Sequence, residues 1–459
     1  MSGARKQNQT NNFPIRVFQK IHKSLSKLIL NEKQIDFSGI VLSPDQEAMF
    51  NLLQSSKNPI FLTGKAGTGK SLLLRYFRQK SDKNIIICAP TGVAALNIGG
   101  QTIHSLFKIP PELIRKDSLK VEKRTAKLLR HVDVVVIDEI SMVRPDLMDA
   151  IDHILRKARK TKVPFGGVQL VMFGDLYQLP PVINRELMDY FAQNYGGNFF
   201  FNADVWKNIK FEIQELTTVF RQKDEDFKTI LNAIREGTIT DEQIAFLNKR
   251  ADIEIPPEGV ITLTTTNSSA KKINETKLSF LKDKEYEYNA EISGTFEENS
   301  FPTEEVLRLK KGAQIILLKN DKEKRWVNGS LGYVHSLKDG KIKVNIDGNI
   351  YSVAKETWGK IRYILNEETD ILEEETVGSF TQFPLRLAWA ITIHKSQGQT
   401  YNSVAIDMGY GAFVHGHTYV GLSRSKSIEG LYLKRKISRE DIIVEPKITN
   451  FMKSQELNK

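Results

Sequence analysis

Ile60-Phe61-Leu62-Thr63-Gly64-Lys65-Ala66-Gly67-Thr68-Gly69-Lys70-Ser71 is a β-branched and aromatic run that breaks into glycines and then opens a helical stretch from Leu72 to Arg78. Its last eight residues match G-x-x-x-x-G-K-[ST] without deviation. A strand that ends in such a loop and runs into a helix has one common use. The glycines let backbone N–H groups curl around phosphate oxygens, and the helix N-terminus adds positive potential. Gly64, Gly67, Thr68 and Gly69 would form the cradle, Lys70 would reach the β and γ phosphates, and Ser71 would ligate Mg²⁺.

Outward from this loop the chain alternates strand-like runs with helical stretches over 42–205. Ile85-Ile86-Ile87-Cys88, Val134-Val135-Val136-Ile137 and Gln169-Leu170-Val171-Met172-Phe173 are continuous apolar runs. Such runs with helices between them predict a parallel sheet covered on both faces, with ligands at the carboxyl ends of its strands. The second run delivers Asp138 and Glu139 to that edge, Asp138 placed to hold Mg²⁺ and Glu139 to polarise an attacking water. The third ends in Gly174-Asp175-Leu176-Tyr177-Gln178, where Gln178 could position water or sense a γ-phosphate. Phosphoryl transfer builds charge that an arginine can neutralise. Arg221 and Arg424 are the candidates, both read as belonging to a second α/β domain.

That second domain is expected over 206–304 and 383–445. Between its halves, 305–382 holds short β runs separated by Asn-Gly, Asp-Gly and Asp-Gly-Asn turns, which suggests a small inserted antiparallel barrel. A C-terminal tail is expected over 446–459. Residues 1–41 carry seven Lys/Arg against two acidic residues, with Phe18, Ile21, Leu25 and Leu28 at helical spacing. This extension reads as a helix packed on the body, or else as a DNA-touching arm or an organellar transit peptide.

The formal net charge of +11 favours a polyanionic partner. The single cysteine, Cys88, excludes an internal disulfide and reads as a packed, inert thiol. No apolar stretch approaches the ~18 residues of a membrane span, so no membrane partner is expected.

The ordered motifs resemble the Pif-type helicases of superfamily 1B over about Leu42 to Leu433. Leu42-Ser43-Pro44-Asp45-Gln46 resembles their Q motif, and Ile137-Asp138-Glu139-Ile140-Ser141-Met142 their second motif. Ala89-Pro90-Thr91-Gly92-Val93-Ala94-Ala95 and Gly99-Gly100-Gln101-Thr102-Ile103-His104-Ser105 resemble their DNA-contacting motifs. Pro164-Phe165-Gly166-Gly167-Val168-Gln169-Leu170 resembles a segment particular to these enzymes. Leu387 to Gly398 and Tyr419 to Arg424 resemble motifs five and six.

The resemblance implies two RecA-like domains with ATP between them, a small barrel in the second, and a wedge near 107–123. It implies Gln46 on adenine, and Gln397 and Gly398 near the γ-phosphate. Thr91, Gly92, Thr102, His104, His394 and Lys395 would face the strand. The implied activity is ATP- and Mg²⁺-dependent 5′→3′ movement on single-stranded DNA by a monomeric motor, unwinding forked or tailed duplex and G-quadruplex DNA. DNA repair, recombination and telomere maintenance are associated roles. The compartment would be the cytoplasmic nucleoid of a bacterium or virus, or a eukaryotic nucleus or mitochondrion. A translocase that strips proteins with little unwinding, a DNA-binding ATP switch and an RNA-directed motor remain alternatives.

Overall fold

A computed structural model describes residues 41–456 apart from 116–118, 223 and 339; the extension expected over 1–41 thus lies, but for Val41, outside the described residues. Six parallel strands form the first sheet. They are β1 (Ile60–Gly64), β2 (Ile85–Ala89), β3 (Gln101–Thr102), β4 (Val134–Ile137), β5 (Gln169–Phe173) and β6 (Glu212–Leu216), in the order β3-β2-β4-β5-β1-β6. The unbroken apolar runs have a direct cause. Ile60, Leu62, Val134, Val136, Val171 and Phe173 pack into one core, while Phe61, Val135, Ile137, Leu170 and Met172 point to the other face. Alternate side chains thus enter two covered faces, and neither can be polar.

The domain boundary drawn at 205 is corrected by β6, which pairs with β1 from Ile60↔Glu212 to Gly64↔Leu216. The first sheet runs on past it. β6 is an edge strand and buries only Ile213 and Leu216, so it lacks the continuous apolar signal.

A second parallel sheet takes the order β18-β7-β19-β20, built from β7 (Ile261–Thr264), β18 (Ala390–Thr392), β19 (Val404–Asp407) and β20 (Leu431–Leu433). The chain is thus α/β with RecA-like parallel sheets. Between β7 and β18 lies an antiparallel region. β8 (Tyr286–Asn289) pairs with β10 (Val306–Leu309). β11 (Gln314–Leu317), β12 (Leu331–Lys338), β13 (Lys341–Ile346), β14 (Asn349–Val353) and β17 (Leu385–Leu387) form a five-stranded sheet. β9 (Glu291–Gly294) joins a long hairpin of β15 (Glu356–Asn366) and β16 (Ile371–Gln382). The inserted β region therefore begins before 305 and ends after 382, and part of it is the hairpin rather than short strands.

The hairpin closes the edge of the first sheet. β3 is two residues long and pairs with β2 only at Cys88 and Ala89. The Ile87 N–H is met instead by the Tyr363 hydroxyl at 3.1 Å, and the Tyr363 N–H donates to Gln101 Oε1 at 3.1 Å. An open sheet edge is thereby covered by an element from the insert.

The expected C-terminal tail is also corrected. Residues Pro446–Glu456 are a helix whose Ile448 is fully buried and whose Phe451 stacks on Phe201 at 4.2 Å. The segment expected as a wedge over 107–123 is pinned to the body at residues 111–114 and ends in the first residue of the helix Lys123–Arg130. Arg144 donates to the carbonyls of Pro111 and Glu112, and the Ile114 N–H donates to Asp146 at 3.1 Å.

Candidate nucleotide site and DNA-facing motifs

The loop after β1 curls through left-handed backbone at Gly67 (φ 88°) and Gly69 (φ 81°), which glycine adopts without steric cost. A Cβ on Gly67 would lie 2.4 Å from the Arg221 Cβ, so Arg221 packs directly against the loop. The Phe220 N–H donates to the Gly67 carbonyl at 3.0 Å. Lys70 Nζ reaches the Lys65 carbonyl at 3.1 Å and also binds the Gly64 carbonyl, so the loop's own carbonyls hold it. Thr68 is buried and Ser71 exposed at the helix start. Gln46 is buried; its amide donates to the Thr68 carbonyl at 3.2 Å while its oxygen accepts from the Ser43 N–H at 3.1 Å. The Q-motif glutamine therefore braces the loop in this state.

Strand order decides which acids meet Lys70. β5, not β4, lies beside β1, so Asp175 at the end of β5 is the leading anion beside Lys70, ahead of Glu139 and Asp138. Burial raises both carboxyls after β4, Asp138 to about 6 and Glu139, which also faces Asp138, to about 7. Burial alone would raise Asp175 too, but Arg235 and Lys70 hold it below the ordinary carboxylate range. Carboxyls within one cleft are thereby driven apart in proton affinity, as acid–base sites require. Glu139 itself sits in left-handed backbone at φ 52°, an uncommon conformation for a residue with a Cβ.

Asp175 also organises groups that the sequence did not single out. Arg235 donates to it at 3.2 Å and stacks its guanidinium over Tyr177 at 4.2 Å. The Tyr419 hydroxyl donates to Asp175 at 3.3 Å and accepts the Ala66 N–H at 3.0 Å. Gln178 is buried, its amide 3.4 Å from Asp175. A chain of contacts thus runs from the second domain, through Asp175, to the phosphate loop. Nothing in a lone Tyr or Arg codon marks these residues; only the β5–β1 adjacency brings them together. Tyr419→Phe removes both hydroxyl contacts at once. Its kcat/KM for ATP is expected to fall about tenfold, the worth of one or two buried hydrogen bonds. A kcat/KM equal to the parent's would show that the hydroxyl does not position the loop.

The two arginines differ from expectation in origin. Arg221 follows β6 and so belongs to the first sheet's end, not to the second domain. It donates to the Ser423 carbonyl at 3.1 Å, and burial together with the nearby Arg424 lowers its pKa to about 9. Arg424 is 1% exposed. It donates to the carbonyls of Val420 (2.9 Å), Ser396 (3.4 Å) and Gln399 (3.3 Å) and to Ser423 Oγ (2.8 Å). Neither is a surface ion pair, and Arg424 acts electrostatically on Glu139.

Two observations bear on whether a triphosphate and Mg²⁺ fit. The Gln397 amide nitrogen is buried with no partner among the described residues, and Gly398 beside it turns through φ 76°. An exposed serine and one half-buried carboxylate, Ser71 and Asp138, match the sparse protein ligation Mg²⁺ takes when phosphates supply the rest.

The DNA-facing candidates are less gathered. Thr91 and Thr102 cap the helices Gly92–Ile98 and Ile103–Phe107 with their hydroxyls. Gly92 is covered by the insert: a Cβ there would lie 2.1 Å from Ser300 Oγ. Burial lowers the pKa of both His104 and His394, which favours the uncharged, hydrogen-bonding imidazole. The His104 Nε2 has no hydrogen-bond partner among the described residues, and His394 lies edge-on to His417 at 5.5 Å. Lys395 is exposed. Among the described residues, no hydrogen bond, ion pair or ring contact joins Thr91, Gly92, Thr102 or His104 to His394 or Lys395. Cys88 is buried beside the Val136 carbonyl, and burial pushes its thiol pKa well up, in keeping with an inert role. No helix among the described residues is long and apolar enough to cross a membrane.

Residues 41–245 match the family described as PIF1-like helicase. The chain is 35% identical over 428 residues to the ATP-dependent DNA helicase Pif1 of Bdellovibrio bacteriovorus, covering 91% of this chain and 93% of that one. Bacteroides sp Pif1 in complex with ADP-AlF4 is similar with a TM-score of 0.85 and 39% identity, covering 91% of this chain and 98% of that one. Bacteroides Pif1 bound to ssDNA gives 0.67 at 40% identity with the same two coverages.

Proposed function

This chain belongs to the PIF1-like helicase family and is an ATP-hydrolysing DNA helicase, and from that premise we propose how its own residues drive 5′→3′ movement on single-stranded DNA. The observation that carries the mechanism is the buried junction at which the Lys70 loop, the acids after β4 and β5, and the Tyr419–Arg424 segment meet.

In the proposed cycle, Lys70 leaves the loop carbonyls for the β and γ phosphates, and Gln397 offers its unpaired amide to the γ-phosphate. Ser71 and Asp138 would hold Mg²⁺, which when bound offsets phosphate charge and orients the transferred group. Glu139 takes the proton of the attacking water, and Gln178 holds that water in line. Arg221 and Arg424 neutralise the charge that builds on the equatorial oxygens. Because Arg221 already lies on the loop, the inter-domain stroke falls chiefly to Arg424 and Tyr419. Gln46 exchanges its contact with Thr68 for adenine.

Thr91, Gly92, Thr102, His104, His394 and Lys395 are proposed to grip the sugar–phosphate backbone, a mode that carries little sequence information. Gly92 then requires that Ser300 and its surroundings move aside. The segment 107–123, held to the body at Pro111, Glu112 and Ile114, is proposed as the wedge. Base-pair stacking costs ~1.4 kcal/mol per step, within reach of one ATP hydrolysis.

A strand-separation assay with ATP and Mg²⁺ tests this reading. Duplexes with a 5′ single-stranded tail are expected to be unwound at least about tenfold faster than those with a 3′ tail, a difference of about 1.4 kcal/mol in barrier. Equal rates on both tails would remove the polarity. ATP turnover without separation on either would favour a translocase.

A further inference from the structure

The tip of the β15–β16 hairpin is acidic, with six carboxylates in the ten residues from Asn366 to Glu375. It is seated on the first domain. Glu367 pairs with Lys127 at 2.6 Å, Asp370 lies 3.4 Å from His131, and Glu374 pairs with Arg78. Beside these contacts lies an open cleft of about 680 Å³ lined by Lys123, Lys127, Arg130, His131 and Lys157 together with the apolar Val121 and Ala126, with no carboxylate in the lining. None of the residues assigned to the strand or to the nucleotide lines it.

Two of the three tip contacts present exposed carboxylates: Lys127 and Glu367 are 45% and 73% accessible, His131 and Asp370 30% and 62%. Pairs of this kind hold weakly and are screened by salt. The hairpin itself is held differently, through the buried Tyr363, the buried Ile371 and the Arg78–Glu374 pair. The Glu367 and Asp370 side chains can therefore let go of their partners while the hairpin stays docked.

We propose that this cleft is a docking surface for the sugar–phosphate backbone of the duplex arm of a tailed DNA substrate, and that the acidic tip stands in for its phosphates until DNA arrives. The choice of the duplex arm rests on the wedge reading above, since the segment 107–123 ends at Lys123 itself. Lys123, Arg124, Lys127 and Arg130 then offer a row of cations to a polyanion that releases counterions on binding.

The test uses the full chain without nucleotide and reads fluorescence anisotropy of a blunt duplex and, separately, a single strand over a salt series. The double variant Glu367→Gln/Asp370→Asn is expected to bind duplex about threefold tighter at low salt, since the competing carboxylates are gone. Lys123→Gln/Lys127→Gln is expected to weaken duplex binding about tenfold and lower the log–log salt slope by about 2. Single-strand affinity should stay within about twofold in both, as phosphate contacts elsewhere carry it. Duplex affinity unchanged in both pairs, or single-strand affinity shifting by the same factor, overturns the proposal. Should either double variant lose its thermal transition, the exposed single changes Asp370→Asn and Lys123→Gln carry the same readout. Because binding is measured at equilibrium without ATP, a parent chain that fails to unwind would sink the wedge reading and leave this result standing.

Discussion

Lys70→Ala is expected to abolish ATP turnover, by about 10³-fold or more, while single-strand affinity changes less than about threefold. Removing a preorganised cation from developing phosphate charge costs about 4 kcal/mol of barrier, which is that factor. The fold should survive, because among the described residues the hydrogen bonds of Lys70 Nζ go to loop carbonyls, those of Gly64 and Lys65. Burial lowers the ammonium's pKa while Asp175 and Glu139 raise it, so the variant also removes a cation from beside two acids. ATPase rates with and without a single strand, alongside anisotropy on that strand, check the result. Rapid turnover by the variant would refute the phosphate-loop assignment. Loss of strand binding in parallel would mean that the change acts through folding.

Arg424→Ala carries the second large effect, and it has two parts. With Arg424 1% exposed and bonded to Val420, Ser396, Gln399 and Ser423, truncation leaves buried carbonyls short of donors. That is expected to cost about 2–4 kcal/mol of stability. Separately, hydrolysis should slow by about 10³-fold while ATP affinity stays within a few-fold, the signature of a group that acts in the transition state. Arg424→Lys keeps the charge but not the planar fork. It should recover part of the stability and little of the rate. A folded Arg424→Ala chain with the parent's turnover would show that Arg424 is architectural only.

Much of this was legible in the chain because the relevant signals are local. The central strands announce themselves as unbroken apolar runs since both faces of the sheet are covered. The phosphate loop does so because its geometry demands glycines at fixed spacing. β6 was missed because an edge strand half exposed to water carries charge, as Glu-Ile-Gln-Glu-Leu does over 212–216. That omission moved Arg221 into the wrong domain. The β15–β16 hairpin was hidden because its turn, with Asp370 at φ 54°, is longer than the two-residue glycine turns nearby. The Asp175–Arg235–Tyr419 cluster could not be read at all. Its members are remote in sequence, and their meeting depends on β5 lying beside β1. The residues proposed to face the strand sit in recognisable motifs, yet two of them cap helices and Gly92 is covered by Ser300. Motif identity named them without fixing whether they are free to touch DNA.

The central claim is that one triphosphate is clamped between the Lys70 loop and the arginines that face it. A structure of the chain with a non-hydrolysable ATP analogue and Mg²⁺ tests this most directly. The expected result is the Arg424 or Arg221 guanidinium at hydrogen-bond distance, ~3 Å, from a γ-phosphate oxygen, with Lys70 drawn off the Gly64 and Lys65 carbonyls. Both arginines still held by the carbonyls of Val420, Ser396, Gln399 and Ser423, with the γ-phosphate untouched by either, would contradict it.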